Sequence, residues 1–144
     1  MSEQSFEGGC LCAAVRYRIT GEPMMVEYCH CGMCRRVSGA PVGSWVDVPA
    51  DSLSWLKAAP KLYQSSPGIF RGFCAACGST LSFQRGETPP KFSIALGGLD
   101  DAAALPPRQH IFTADALPWL HITDDLPRYE EHSPAGGPVA RAGE

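Results

Sequence analysis

Alternation of apolar and polar side chains is clearest between residues 13 and 20. There Val15, Tyr17 and Ile19 are each followed or preceded by a polar residue, which predicts a half-buried β-strand. Other short apolar or alternating runs are bounded by Gly, Pro or Ser and predict further strands. These runs are residues 24–28, 42–48, 61–65, 69–73, 80–84, 92–96, 110–113 and 119–123. One short helical turn is predicted at residues 34–38, a turn at Pro67 and Gly68, and a loop at 49–54.

Composition favours the same architecture. The 144 residues include 15 glycines and 13 prolines, which leave little room for long helices. The length corresponds to one hydrophobic core. We therefore predict a mainly β fold with few helical turns, a single domain at residues 1–132, and a flexible C-terminal tail at 133–144.

Charge and hydropathy argue against several classes of partner. The formal net charge is −3, so the chain has no basic footprint for nucleic acid. Its apolar runs are far shorter than a membrane span, and we expect no membrane partner. The first residues lack the basic and apolar regions of a secretory signal, so the expected location is the cytoplasm. Oligomeric state cannot be read from the sequence.

The seven cysteines are the most informative residues. They fall in three groups: Cys10 and Cys12; Cys29, Cys31 and Cys34; Cys74 and Cys77. An odd number of clustered thiols without a signal peptide is not typical of a disulfide framework. Thiolates one to three residues apart can reach the same ion, and Zn²⁺ is the usual partner of all-sulfur sites.

Seven thiolates divide naturally into four and three. A four-thiolate site is closed and structural, whereas three ligands leave a position for water or substrate. Spacing alone does not decide which groups pair. Two alternatives stay open: a second closed site of three cysteines and one histidine, and a redox-active Cys-x-x-Cys pair, which lacks its usual βαβ context. The available histidines are His30, His110, His121 and His132.

Polar residues near the cysteines are candidates for substrate contacts. Arg35 and Arg36 follow Cys34 directly, and Arg71 precedes Cys74. Such arginines can offset thiolate charge or bind a carboxylate, and Arg35 and Arg36 are our predicted substrate-binding residues. Candidates for moving a proton are His30, Ser38 and Asp47. The larger aromatics are expected in the core: Phe73, Phe83, Trp45, Trp55 and Trp119.

Three motifs resemble one known family. They read GGCLC at residues 8–12, CHCGMCR at 29–35 and FCAACGS at 73–79. They are similar, in this order, to the glutathione-dependent formaldehyde-activating enzyme family, which also includes centromere protein V. Segments further along the chain fit the C-terminal part of that family: residues 98–101, 107–112, 118–119 and 126–129. The resemblance covers about residues 5–130.

The resemblance implies a β-tent fold of small antiparallel sheets held together by zinc. It assigns Cys10, Cys12, Cys74 and Cys77 to a structural zinc. Cys29, Cys31 and Cys34 would hold a second, open zinc and act as the catalytic cysteines. A site with three protein ligands can be partly occupied. The implied activity is that of a carbon–sulfur lyase, joining a small thiol such as glutathione to an aldehyde such as formaldehyde. Two alternatives are a zinc-stapled binding module without turnover and a carrier of thiol adducts.

Overall fold

A computed structural model of the chain describes residues 4–134. Within this range lie ten β-strands, one α-helix and four 3₁₀ turns. The strands are β1 (Ser5–Gly9), β2 (Arg16–Thr20), β3 (Met25–Cys29), β4 (Gly43–Pro49), β5 (Leu53–Trp55), β6 (Lys61–Ser66), β7 (Ile69–Phe73), β8 (Thr80–Arg85), β9 (Lys91–Ala95) and β10 (Gln109–Ile111). Helix α1 is Gly32–Ser38, and the 3₁₀ turns are Ala50–Ser52, Leu96–Gly98, Ala102–Ala104 and Thr113–Asp115.

Two sheets form the framework. The larger has seven strands in the order β10-β3-β4-β9-β8-β7-β6, and the smaller has three in the order β1-β2-β5. All pairs are antiparallel except β10, which runs parallel to β3. The predicted mainly β class with small antiparallel sheets and one short helix is confirmed.

The two sheets share an apolar core. Tyr17 and Ile19 of β2 are fully buried, as are Val46 of β4 and Ile94 of β9. Trp55 of β5 meets Tyr17 edge to face with ring centroids 5.9 Å apart. Such pairs add to the free energy gained by burial alone. The alternation seen in the sequence of β2 therefore reports the face that packs against the large sheet.

Most predicted strands are present, but one predicted strand is absent, one predicted core residue is exposed, and two strands were missed. Residues 119–123 form no strand, and Trp119 is 63% exposed rather than part of the core. Strands β1 and β5 were missed. The two glycines at the end of β1 weaken any strand pattern. β5 has only three residues, and the first two lie in the stretch predicted as a loop.

The predicted end of the domain falls at the limit of the described residues. Ser133 is buried, and Gln109 Nε2 donates a hydrogen bond to its Oγ at 3.1 Å. Residues 135–144 of the predicted tail lie outside the described range. Among the described residues, no helix has both the length and the apolar character that a membrane crossing requires.

Two acidic side chains are buried in the large sheet. Glu27 of β3 is 0% exposed and Asp47 of β4 is 1% exposed. Gln109 Nε2 donates to Glu27 Oε1 at 2.7 Å, and Ser93 Oγ donates to Asp47 Oδ1 at 2.6 Å. Burial, with a smaller effect of the Asp47 charge, raises the pKa of Glu27 to about 7.

Replacing Glu27 by Gln is expected to remove a pH dependence of stability. The pKa of Glu27 is higher in the folded than in the unfolded protein. Glu27 therefore lowers the free energy of unfolding as the pH rises, and this destabilisation is complete above about pH 7. The Glu27→Gln protein should match wild type near pH 5 and be more stable by about 1–3 kcal/mol at pH 8. Urea unfolding across this range measures the difference. The exposed Glu22→Gln control should show no such trend, and a flat Glu27→Gln difference would contradict the assignment.

Gly8 is where β1 approaches the rest of the fold most closely. A Cβ atom at Gly8 would lie 2.5 Å from both the carbonyl oxygen of Gly98 and the hydroxyl of Tyr17. Gly8→Ala should therefore destabilise the zinc-loaded protein by about 1–3 kcal/mol in urea unfolding. Gly97→Ala is the matched control, since its Cβ would meet nothing within 4 Å. Equal stability of the two variants would show that β1 can shift away.

Candidate metal centres

Four cysteines from two distant loops converge at one end of the molecule. Cys10 and Cys12 lie between β1 and β2, and Cys74 and Cys77 lie between β7 and β8. Their four sulfur atoms all lie within 4.8 Å of one another. The Cys12 sulfur is 3.7 Å from that of Cys10 and 3.7 Å from that of Cys74.

Local backbone geometry directs these thiols inward. In the second loop, the amides of Ala76 and Cys77 point at the sulfur of Cys74, and Gly78 closes the turn with a φ of +80°. In the first loop, the amide of Val15 donates to the sulfur of Cys10 at 3.2 Å. Amide donors favour the thiolate form, which is the form that binds metal.

Ser79 connects the two loops. Its hydroxyl accepts a hydrogen bond from the Leu11 amide at 3.0 Å and lies 3.1 Å from the sulfur of Cys77. The Ser79 hydroxyl is the largest cause that lowers the pKa of Cys77 to about 5. A thiolate at neutral pH is therefore favoured even at a partly exposed position.

The four-cysteine cluster fits a tetrahedral zinc site. Zinc–sulfur bonds of about 2.3 Å in tetrahedral geometry separate the sulfurs by about 3.8 Å, close to the 3.7 Å found here. A disulfide needs about 2.05 Å, and all seven cysteines are free. The donor set is entirely thiolate, which is soft and suits zinc.

The three remaining cysteines form a second, buried cluster. Cys29 ends β3, Cys31 precedes helix α1, and Cys34 lies in its first turn. All three are buried, and their sulfurs lie within 4.8 Å of one another. The apolar side chains packed around them include Trp45, Ile111 and Phe112.

Cys31 is the N-cap of α1. Its sulfur accepts a hydrogen bond from the Cys34 amide at 3.3 Å, in place of the usual Ser or Asp oxygen. Hydrogen bonds from the Cys29 and Cys34 thiols, supported by this amide, lower the pKa of Cys31 to about 2. These donors favour the thiolate form of Cys31, which is the form that binds metal.

Gly43 permits this packing and was not identified from the sequence. Its position opposite Cys29 in the β3–β4 pair brings β4 against the cluster. A Cβ atom at Gly43 would lie 2.8 Å from the Cβ of Cys34. A glycine that begins a strand is the only sequence signal for such a close approach.

Among the described residues, no histidine or carboxylate joins the three-cysteine cluster. His30 lies between two of the cysteines, yet its Nε2 is 2.9 Å from Nδ1 of His110. His110 in turn places Nε2 2.9 Å from Asp124 Oδ2, and this contact is the main cause that lowers the pKa of Asp124 to about 2. The geometry therefore favours a three-ligand site over the closed alternative with histidine.

A cleft of about 830 Å³ adjoins both clusters. Cys10 and Leu11 contribute to one side, and Gly43 and Trp45, which contact the three-cysteine cluster, contribute to another. The ion pair between Arg16 and Asp100, with Nη1 2.8 Å from Oδ1, lies along its rim. The volume of the cleft is large enough for a small peptide-like molecule.

The residues predicted to bind substrate or move a proton differ in their position relative to the cleft and the three-cysteine cluster. Arg36 is exposed and lines the cleft, whereas Arg35 is half-buried and does not. Ser38 also lines the cleft, and its hydroxyl donates to the Cys34 carbonyl at 2.6 Å. Asp47 lies four residues along β4 from the position opposite Cys29, about 13 Å away, so its geometry does not suit proton transfer at the cluster.

Comparison with known proteins agrees with this arrangement. Residues 5–115 match the profile of the family described as glutathione-dependent formaldehyde-activating enzyme. The chain belongs to this family. The match includes all seven cysteines and covers more than half of the chain.

Two curated relatives have names that agree with this family. A putative glutathione-dependent formaldehyde-activating enzyme of Halomonas elongata is 28% identical over 127 residues, which is 81% of this chain and 80% of that protein. An uncharacterized lyase of Schizosaccharomyces pombe is 35% identical over 78 residues. That match spans 54% of this chain and only 56% of the yeast protein.

A solved structure has a similar fold. The crystal structure of a Rhodobacter sphaeroides protein superposes with a TM-score of 0.54 at 24% identity. The superposition covers 66% of this chain and 88% of the other. At this identity the likeness concerns the fold alone.

The two clusters should respond differently to loss of one thiol. Wild-type protein is expected to hold two zinc ions per chain. Cys31→Ser should keep the fold and lose one zinc, because its cluster lies on one short segment of chain. Cys74→Ser should lower the melting temperature by at least about 10 °C, because a structural metal contributes its binding energy to folding.

Zinc content by plasma mass spectrometry and unfolding by circular dichroism measure both effects on the same samples. If Cys31→Ser lowers the melting temperature as much as Cys74→Ser does, the three-cysteine cluster also stabilises the fold.

Proposed function

We propose that this protein is a zinc-dependent carbon–sulfur lyase that adds a small thiol to an aldehyde, or catalyses the reverse reaction. The thiol would be similar to glutathione and the aldehyde similar to formaldehyde. The observation that carries the proposal is the second cluster: three buried thiols, no fourth ligand among the described residues, and a cleft beside them.

The donor set supports a catalytic rather than a structural role for this cluster. Three protein ligands are typical of catalytic zinc, whereas structural zinc is closed by four. When bound there, zinc would supply a Lewis acid that acidifies a thiol or polarises a carbonyl. The four-cysteine cluster would then be the structural centre.

The chain itself would bind and orient the substrates. Arg36 would hold a carboxylate of the thiol. Its exposure on the cleft and its permanent positive charge support this role. Arg35, half-buried on the same helix, is retained as a second candidate. The buried indole of Trp45 would exclude water on the side of Cys34.

The proposed reaction needs no oxidant or reductant. A bond forms between the thiol sulfur and the carbonyl carbon, and the carbonyl π pair moves to oxygen. The proton lost from sulfur ends on that oxygen, giving an S-hydroxymethyl adduct. Holding both reactants in one cleft makes the addition effectively unimolecular.

The experiment is exchange NMR between formaldehyde, glutathione and their adduct, with and without protein whose zinc content has been measured. Wild type with two zincs should accelerate exchange by at least about tenfold over the uncatalysed reaction. Cys31→Ser should remove the acceleration while retaining the fold. Arg85→Gln, at an exposed position outside both clusters, should behave as wild type.

Other outcomes separate the alternatives. Two bound zincs with no acceleration would reject this thiol–aldehyde pair. Tight binding of the adduct without acceleration would indicate a carrier, whereas a second zinc that cannot be removed without unfolding would indicate a binding module.

A further inference from the structure

A buried arginine outside the main cleft has no assigned partner. Arg71, in the middle of β7, is 7% exposed. Its Nη1 and Nη2 atoms are buried and have no hydrogen-bond partner among the described residues. Its guanidinium carbon lies 5.1 Å from the ring centroid of Phe83, the residue opposite it on β8. Stacking on an aromatic ring leaves the hydrogen-bonding edge of a guanidinium free.

The position of Arg71 is held by the strands on both sides. Tyr63 of β6 lies directly opposite it, as Phe83 does on the other side. A buried, unpaired charge is costly unless a partner offsets the desolvation. Burial lowers the pKa of Arg71, and the thiols of Cys34, Cys31 and Cys29 act in the opposite direction. The guanidinium therefore lies close to the three-cysteine cluster, and its Nη1 and Nη2 atoms donate no hydrogen bond to the cluster thiols.

A second cavity, of about 380 Å³, is lined by Arg71. Ser65 also lines it, and the Ser65 Oγ is buried without a hydrogen-bond partner among the described residues. Ser65 lies at a register shift between Gln64 and Ser66 in the β6–β7 pair. Such bulges change the direction of a side chain and are common beside binding sites. Unsatisfied donors on two different strands thus line the same cavity.

This cavity adjoins the main cleft. Val37, Gly78 and Thr80 line both openings. Val37 and Phe83 also pack against the three-cysteine cluster. Val37 thus lies beside the cluster and at the boundary of the two cavities, and a molecule bound at the cluster would have to pass it to reach Arg71.

We propose that Arg71 and Ser65 form an anion-binding subsite that takes a carboxylate of the thiol substrate. Two Nη donors and one hydroxyl match the two oxygens of a carboxylate. Placement beside the cysteine cluster sets the substrate class as acidic thiols rather than neutral ones. The identity of the anion as part of a thiol rests on the proposed function, whereas the binding of a carboxylate at Arg71 does not.

Binding is tested on zinc-loaded protein with S-methylglutathione, which keeps both carboxylates but has no free thiol. Isothermal calorimetry should show binding to wild type and at least about tenfold weaker binding to Arg71→Gln. Arg71→Lys should recover part of the affinity, and Ser65→Ala should lose less than Arg71→Gln. The control, Arg85→Gln, should match wild type. The dimethyl ester of the same compound, which lacks both carboxylate charges, should bind wild type and Arg71→Gln alike.

Ser65→Glu tests the subsite without removing the arginine. Its carboxylate would pair with Arg71 inside the cavity and should abolish binding of S-methylglutathione while both zincs stay bound. This variant decides the matter if Arg71→Gln unfolds or loses zinc. Undiminished binding by Ser65→Glu, no binding by wild type, or equal binding of acid and ester would each overturn the proposal.

Kinetics separates this proposal from the proposed function. With glutathione, Arg71→Gln should raise KM at least about tenfold with little change in kcat, and with neutral 2-mercaptoethanol it should change neither. A loss of kcat with both thiols would mean that Arg71 serves the metal cluster instead. Carboxylate binding through Arg71 in a protein without thiol–aldehyde activity would retain the subsite and reject the enzyme. Thiol–aldehyde activity of the wild type, together with undiminished binding of S-methylglutathione by Arg71→Gln, would retain the enzyme and reject the subsite.

Discussion

The rest of the structure depends on the meeting of two loops at the four-cysteine cluster. One loop belongs to the small sheet and the other to the large sheet, so the cluster ties the two layers together at their edge. The hydroxyl of Ser79 spans the same gap by bonding the Leu11 amide. Leu11 is 89% exposed and Val15 packs into the core shared by the two sheets. At the cluster itself, sulfur atoms and hydrogen bonds therefore join the two loops.

The two cysteine clusters differ because different lengths of chain build them. The four-cysteine cluster draws on segments more than sixty residues apart, and its formation requires the whole fold. The three-cysteine cluster lies within six residues, at the end of β3 and the start of α1. A segment that short supplies three ligands readily. Trp45 and Phe112 pack around it, and no group within residues 4–134 is in place to close the coordination.

The groups that stabilise thiolate charge also differ between the two cysteine clusters. The thiols of the four-cysteine cluster are offset mainly by backbone amides and a serine hydroxyl. Near the three-cysteine cluster a full cation, Arg71, is buried with no hydrogen-bond partner for its two Nη atoms among residues 4–134. A structural site has no need of such a residue, whereas a site that admits an anionic molecule gains from it.

The sequence by itself determined the mainly β class, the short helix, most strands and the presence of three groups of closely spaced cysteines. These depend on local patterns: alternation, turn residues, and cysteines a few positions apart. Tertiary structure decided which thiols meet, that Gly43 makes room for Cys34, and that His30 turns to His110. It also decided that Trp119 is exposed and that Arg71, rather than only the arginines next to Cys34, faces a cavity. These outcomes depend on contacts between strands far apart in the chain, for which a single sequence carries no local signal.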